Sequence, residues 1–138
     1  RCATALADLR EPDDALRYDL VGYEDHMDAL YARTSLAISR AGAVTVAELT
    51  AAGVPAVLVP YPAATGDHQT HNAHVVAEAG GAVLVPDTDC DAERLEPLVT
   101  DLLTTPDRLD AMSSVMASLA RPDAATALAD LVEERSRG

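Results

Sequence analysis

The chain has 138 residues, of which 49% are hydrophobic and 3% aromatic, and its formal net charge is −13 at pH 7. This length suits one domain that buries about two thirds of the surface of its unfolded chain, and the few aromatic residues predict a core of alanine, valine and leucine. The negative charge argues against binding of nucleic acid or of an anionic membrane surface, because both would repel it.

Strands and helices are predicted to alternate, because apolar runs are bounded by glycine and proline. Gly53 and Gly80 are predicted to end two helices, and Glu24 or Asp25 to cap the first. The alternation predicts an α/β fold with right-handed crossovers and a parallel sheet flanked by helices. The predicted strands are residues 16–21, 36–39, 56–59 and 82–85, and the predicted helices are residues 25–33, 45–52, 68–79, 92–103, 106–119 and 123–134.

The ends of the chain and its cysteines indicate the cellular compartment in which the protein is expected. It begins without Met and without a leading strand, which indicates a piece of a larger protein. It has no signal peptide and no run of the ~20 apolar residues that span a bilayer, so the cytosol is the expected compartment. Cys2 and Cys90 are too few and too far apart for a metal site or disulfide framework, and we interpret them as ordinary thiols.

The turn from Ser39 to Gly42 lies between a predicted strand and a predicted helix. Open α/β sheets bind their ligands at such junctions. Small residues let a ligand approach the backbone, and the first N–H groups of the helix are free at the positive end of its dipole. The turn can therefore donate hydrogen bonds to an oxygen-rich ligand, although one short motif is weak evidence.

Glu48 has two interpretations. Its carboxylate can accept hydrogen bonds from the vicinal hydroxyls of a ribose. However, Thr45-Val46-Ala47-Glu48 also fits the capping box, in which Thr45 and Glu48 satisfy N–H groups of their own helix. The residues alone leave both open.

A second junction, G-D-H-Q-T-H-N-A at residues 66–73, starts the next predicted helix. Gln69 and Asn72 are three residues apart on one helix face, and their amides offer both donors and acceptors to sugar hydroxyls. The alternative is that Asp67 caps the helix and the two amides are merely solvated.

Histidines 68, 71 and 74 form H-x2-H-x2-H. A straight helix separates residues at this spacing by so large an angle that at most two could reach one ion, and no nearby cysteine completes a ligand set. We therefore predict neither a metal nor another cofactor.

Y-E-D-H-M, at residues 23–27, follows the first predicted strand. The backbone N–H and C=O of Glu24 could read the edge of a planar base, with Tyr23 packed nearby. An ordinary strand-to-helix turn explains the segment equally well.

Six segments in this order resemble the C-terminal domain of the MurG family. These enzymes transfer N-acetylglucosamine from UDP-N-acetylglucosamine to lipid I (undecaprenyl-diphospho-MurNAc-pentapeptide), making the lipid II of peptidoglycan synthesis. Several blocks at similar spacing are more specific than any one alone. The resemblance extends over residues 21–134 and rests on Y-E-D-H-M-D-A-L-Y, I-S-R-A-G-A-V-T-V-A-E-L, G-V-P-A-V-L-V-P-Y-P, G-D-H-Q-T-H-N-A, E-A-G-G-A and R-P-D-A-A.

The resemblance implies a role for each matching residue in binding the donor. Glu24 would contact uracil through its backbone, and Glu48 would hold the ribose hydroxyls. Gln69 and Asn72 would address the N-acetylglucosamine ring. The donor cradle would be lined by Ala43, Val44 and Thr45.

The resemblance also implies a GT-B architecture, with the active site between two Rossmann-like domains, and an inverting hexosyltransferase. Residues 1–138 would be a partial C-terminal donor-binding domain, lacking that domain's first strand and the N-terminal acceptor domain. The absent domain would carry the catalytic histidine and a membrane-docking patch, which implies a peripheral enzyme on the cytoplasmic face of the plasma membrane. No residue of this chain is assigned to catalysis.

Two other functions stay open at this point. One is a GT-B transferase with a different acceptor, and the other is a noncatalytic module that binds nucleotide sugars. A glycine-rich upstream domain containing G-G-H would favour transfer to lipid I. We expect the isolated chain to be inactive and to self-associate through its open sheet edge, which sedimentation at several concentrations would reveal.

Overall fold

A computed structural model describes residues 19–137 of the chain. Its three strands are β1 (Ala37–Ser39), β2 (Ala56–Leu58) and β3 (Ala82–Leu84), which pair in parallel in the order β1-β2-β3. The backbone N–H groups of Val59 and Val85 donate to the carbonyls of Ser39 and Leu58 at 2.9 Å. The hydrogen bonding of the sheet therefore continues one residue past the ends of β2 and β3. The predicted parallel α/β sheet is confirmed.

Six α-helices surround or follow the sheet in the described residues. Gly53 and Gly80 end two of them at φ values of 66° and 93°, which glycine adopts without steric strain. One helix has the predicted bounds, and the three after β3 differ from the prediction by one or two residues at an end. The helices are α1 (Met27–Tyr31), α2 (Ala43–Ala52), α3 (His68–Ala79), α4 (Ala92–Thr104), α5 (Pro106–Ser118) and α6 (Ala124–Ser136).

The first two predicted elements need correction. Residues 16–18 of the predicted first strand lie outside the described residues, and residues 19–21 are not a strand. Leu20 and Val21 are 54% and 60% exposed, so this apolar run does not pack into the sheet. The predicted helix 25–33 contracts to α1, because His26 has a non-helical φ of −116° and ψ of 64°. After Tyr31 the chain tightens into a turn.

β2 is the centre of the hydrophobic core, and its three residues are fully buried. Ala56 and Leu58 lie in one cluster, with Leu49 of α2 and Val76 of α3. Val57 points to the opposite face, into a second cluster that includes Leu102 and Met112 of α4 and α5. The sheet is therefore covered on both faces by aliphatic side chains, as expected for a parallel sheet.

β1 forms one edge of the described sheet. Its Ile38 side chain is 49% exposed, and β2 is the strand's one partner among the residues described. None of the helices between residues 19 and 137 is long and apolar enough to cross a membrane.

Candidate functional site

The start of α2 is open at the carboxyl edge of the sheet. Gly42 is the N-cap, with φ −61° and ψ 147°, and no side chain caps the helix. Val46 donates its N–H to the Gly42 carbonyl at 2.9 Å. The N–H groups of residues 43–45 donate to no atom of the described residues, so α2 begins with three free donors.

The capping-box interpretation of Thr45 and Glu48 is wrong. α2 begins at Ala43, two residues before the predicted start, so Thr45 is its third residue rather than its N-cap. Glu48 then lies in the second turn, too far along the helix to serve the N-cap. Its Oε2 instead accepts a hydrogen bond from the Tyr31 hydroxyl at 3.2 Å. The ribose interpretation of Glu48 stays a prediction.

Tyr31 joins α1 to α2 and was not found from the sequence, because 17 residues separate it from Glu48. Both line an open cavity of about 450 Å³, together with Met27 and Ala51. Partial burial, the Glu48 charge and the hydrogen bond to Glu48 together raise the pKa of Tyr31 above its ordinary value. The cavity therefore has a mainly apolar wall with two carboxylates, Asp28 and Glu48, and Tyr31 binds that of Glu48.

This raised pKa predicts a loss of stability in alkali. The Tyr31 pKa is higher in the folded than in the unfolded chain, so its contribution is complete below the unfolded pKa of about 10 and is lost as pH rises through the folded value. The free energy of unfolding, measured by urea denaturation between pH 8 and 11.5, should fall more steeply for the natural chain than for Tyr31→Phe. Tyr23→Phe, whose ring is 81% exposed, is the matched control. Equal slopes for Tyr31→Phe and the natural chain would contradict the coupling.

At the start of α3, both predicted amides have protein partners. Gln69 accepts a hydrogen bond from the Tyr61 N–H through Oε1 at 3.0 Å, and Asn72 donates through Nδ2 to the Ala41 carbonyl at 3.1 Å. The interpretation that these amides are merely solvated is therefore wrong. The Gln69 NH2 group and Asn72 Oδ1 have no partner among the described residues, and their predicted contact with a sugar stays a prediction.

Asp67 occupies the N-cap position of α3 but does not cap it as expected. It has a left-handed φ of 55°, uncommon for a residue with a side chain. Its carboxylate makes no bond to the helix backbone, and Oδ1 instead accepts from the Thr70 hydroxyl at 2.5 Å.

Four of the predicted site residues, Ala43, Asn72, Glu48 and Glu24, fall into three places. Ala43 and Asn72 line one groove of about 450 Å³ between α2, α3 and the residues that follow α5. Glu48 lies in the other cavity, beside Tyr31. Glu24 accepts the His26 N–H through Oε1 at 2.9 Å within its own loop. Its backbone N–H and C=O have no hydrogen bond in residues 19–137, and no hydrogen bond there joins it to the other site residues.

Arg40 is a further residue of this edge that sequence reasoning did not single out. Its Nη1 donates to the carbonyls of Val59 and Pro60 at 3.3 and 3.2 Å and pairs with Asp87 Oδ1 at 2.5 Å. Its Cζ lies 5.6 Å from the centre of the Tyr61 ring. Arg40 thus connects the segments that follow all three strands. Its position in an otherwise small, uncharged turn, I-S-R-A-G-A, was the one available signal.

The histidines of α3 have separate surroundings. His68 Nδ1 lies 2.5 Å from the Thr65 carbonyl oxygen, and His74 Nδ1 lies 4.0 Å from Glu78 Oε1. Within the described part of the chain, no three His, Cys, Asp or Glu side chains are placed to hold one metal ion. Cys90 is an exposed free thiol, and Cys2 lies outside the described residues.

Comparison with known proteins identifies the family. Residues 5–128 match the model of the glycosyltransferase family 28 C-terminal domain. The chain belongs to this family. Together with the relatives and the solved structure that follow, this match confirms the resemblance to the MurG C-terminal domain.

Two relatives of this family 28 domain cover nearly the whole chain. Both are named UDP-N-acetylglucosamine--N-acetylmuramyl-(pentapeptide) pyrophosphoryl-undecaprenol N-acetylglucosamine transferase. The one from Halothermothrix orenii is 38% identical over 96% of this chain, and the one from Alkalilimnicola ehrlichii is 44% identical over 96% of it. The chain spans only 37% and 38% of these two proteins.

The fold comparison agrees with the family. The crystal structure of Acinetobacter baumannii MurG matches 96% of this chain with a TM-score of 0.86 and 33% identity, and the match covers 39% of that protein. The predicted fold class, part of a GT-B C-terminal domain, is therefore confirmed. A glycotransferase of kitacinnamycin has a TM-score of 0.59 at 19% identity, which supports the fold alone.

Proposed function

We propose that this chain is the donor-binding part of an enzyme that transfers N-acetylglucosamine from UDP-N-acetylglucosamine to lipid I. The observation that carries this proposal is the uncapped start of α2 at the carboxyl edge of a parallel sheet, where three N–H groups have no acceptor among the described residues. Such a helix start favours the phosphate groups of a nucleotide. The names of the two relatives supply the sugar and the acceptor. They make a different acceptor, or a noncatalytic binding module, the less favoured alternative.

In this proposal, each part of the donor has its own partners. The N–H groups of Ala43, Val44 and Thr45 bind the diphosphate, and the Glu48 carboxylate holds the ribose hydroxyls. The Gln69 NH2 and Asn72 Oδ1, which lack protein partners in the described chain, contact the sugar. The backbone N–H and C=O of Glu24, which have no hydrogen bond within residues 19–137, contact uracil.

The proposed reaction is a single displacement that inverts the anomeric carbon. The C4 hydroxyl oxygen of the acceptor attacks that carbon, the bond from the carbon to the diphosphate oxygen breaks, and UDP leaves with the bonding electrons. Negative charge then develops on the diphosphate, where the N–H groups at the start of α2 stabilise it. The acceptor's proton passes to a base outside this chain, since no residue here is assigned that role.

We propose that the other domain of the enzyme lies in sequence beyond these 138 residues, since the chain spans about two fifths of its relatives. That part would bind lipid I and make the peripheral contact with the cytoplasmic face of the membrane. The open edge of β1, where Ile38 is half exposed, would pair with further strands of the domain and would allow the isolated chain to self-associate.

The test compares the full-length enzyme with the isolated chain. Radiolabelled UDP-N-acetylglucosamine and lipid I should give lipid II with the full-length enzyme. The isolated chain should give none, because correct positioning of both substrates contributes ~7–11 kcal/mol to such a reaction. Turnover with another acceptor but not with lipid I would favour the other transferase. Donor binding without any turnover would favour the binding module, and turnover by the isolated chain would contradict the division of roles.

A further inference from the structure

The peptide group between Pro60 and Tyr61 is held from both ends. Its carbonyl accepts from Arg40 Nη1 at 3.2 Å, and its N–H donates to Gln69 Oε1 at 3.0 Å. A peptide group is planar and rigid, so a bond that fixes its carbonyl also fixes the direction of its N–H. Arg40 and Gln69 are therefore coupled through one peptide plane, although 29 positions separate them in the sequence.

The side chain of Gln69 can accept a hydrogen bond from this N–H only through its Oε1 atom. A backbone N–H requires an acceptor, so Oε1 must face Tyr61 and the NH2 group must face away from it. The NH2 group has no acceptor among the described residues. The peptide therefore determines where the two free donors of Gln69 point.

Arg40 is itself held by several partners. Asp87, in the turn that follows β3, binds Nη1, and the Tyr61 ring lies against the guanidinium. The side chains of Arg40 and Asp87 are 50% and 36% exposed, so the ion pair alone contributes little. Its effect is geometric, since it orients a group that also binds the Val59 and Pro60 carbonyls.

We propose that Arg40 is a positioning residue for Gln69, acting through the Pro60–Tyr61 peptide, and that Asp87 holds Arg40 in place for this purpose. The inference rests on the proposed function, because it takes the sugar of UDP-N-acetylglucosamine as the group that Gln69 contacts. It predicts that Arg40 and Asp87 affect recognition of the sugar rather than of UDP.

The experiment is a double-mutant cycle in the full-length enzyme, with binding of UDP-N-acetylglucosamine and of UDP measured by calorimetry. Asp87→Asn keeps the shape of the side chain and removes its charge. It should weaken UDP-N-acetylglucosamine binding about two- to fivefold and change UDP binding less than about twofold. In a Gln69→Ala background, Asp87→Asn should have no further effect, because residues that act through one contact are not additive.

The matched control is Asp101→Asn. Asp101 pairs with Arg108 in another exposed ion pair, between α4 and α5, away from the predicted site residues. This change should leave both affinities unaltered. Arg40→Lys provides a second cycle should Asp87→Asn fail to fold, since lysine keeps the charge but lacks the planar guanidinium that lies over the Tyr61 ring.

The outcomes separate the two proposals. Wild-type enzyme that binds neither UDP nor UDP-N-acetylglucosamine overturns the proposed function, and the role of Arg40 with it. Wild-type binding with additive effects of Asp87→Asn and Gln69→Ala overturns the positioning role alone. An equal loss of UDP and UDP-N-acetylglucosamine affinity in Asp87→Asn also overturns it, because that result indicates general loosening of the loops.

Discussion

Replacing Glu48 by alanine in the full-length enzyme is expected to raise the Kd for UDP-N-acetylglucosamine by at least about tenfold. The proposed hydrogen bonds from ribose hydroxyls to a carboxylate contribute ~1.5–3 kcal/mol, and 1.4 kcal/mol corresponds to a tenfold change. Stability should change little, because Glu48 is exposed and its side chain has one hydrogen bond in the described chain, to Tyr31. Calorimetric titration and the unfolding midpoint of the same variant measure both effects.

A donor that lacks the ribose 2′-hydroxyl provides the control for this assignment. The natural enzyme should bind this 2′-deoxy donor more weakly than the natural donor, and Glu48→Ala should discriminate less between the two. Tyr31→Phe, which keeps the carboxylate, should retain most of that discrimination. Unaltered donor binding in Glu48→Ala would sink the ribose assignment and weaken the sugar-site roles argued from the same resemblance.

The neighbouring substitution, Leu49→Ala, should have the opposite effects. It should lower stability strongly and change donor binding little. Leu49 is fully buried in the cluster with Val54, Leu58 and Met116. Leu→Ala in such a core removes apolar contacts and leaves a cavity, which costs about 2–5 kcal/mol of unfolding free energy. That is a large part of the ~5–15 kcal/mol that stabilises a typical domain. Urea denaturation of the natural and variant proteins measures the difference.

Leu103→Ala is the matched control for this prediction. Leu103 follows the fully buried Leu102 on α4 but is itself 52% exposed. Its truncation should change the unfolding free energy by no more than about 0.5 kcal/mol. A Leu49→Ala loss as small as that of Leu103→Ala would show that α2 is not packed on the sheet as described.

Local patterns predicted the fold well where they contain their own stop signals. The bounds of α3 agree with the prediction, and the backbone is left-handed at both flanking residues, Asp67 and Gly80. Residues 19–21, the described part of the predicted first strand, show the limit of such reasoning. An apolar run indicates a capacity to pair, but whether a neighbouring strand is available depends on the rest of the fold.

The candidate site was predicted in its location but not in its internal connections. Gln69 and Asn72 stood out as polar residues at a strand-to-helix junction, yet their partners at Tyr61 and Ala41 are distant in sequence or lie in another turn. Thr45 and Glu48 matched a capping motif, but Gly42 begins the helix earlier than that motif requires. Residue spacing in the sequence predicts contacts within one helix, whereas these hydrogen bonds depend on how separate segments pack in the fold.

Gly42, the N-cap of α2 without a side chain, lowers the stability of the helix but leaves its first N–H groups available to the proposed donor. A side chain at this position would meet only the Thr45 hydroxyl, at 3.7 Å, and the backbone has an ordinary negative φ, so nothing in the described structure requires glycine there. A serine or aspartate would stabilise the helix by only a few tenths of a kcal/mol (~0.3), and its oxygen would occupy N–H groups that the proposed diphosphate needs. A capping side chain introduced here to raise heat resistance would therefore compete with the donor diphosphate for the same N–H groups. The lost stability is small, and the N–H groups proposed to bind the diphosphate have no capping side chain in the described structure.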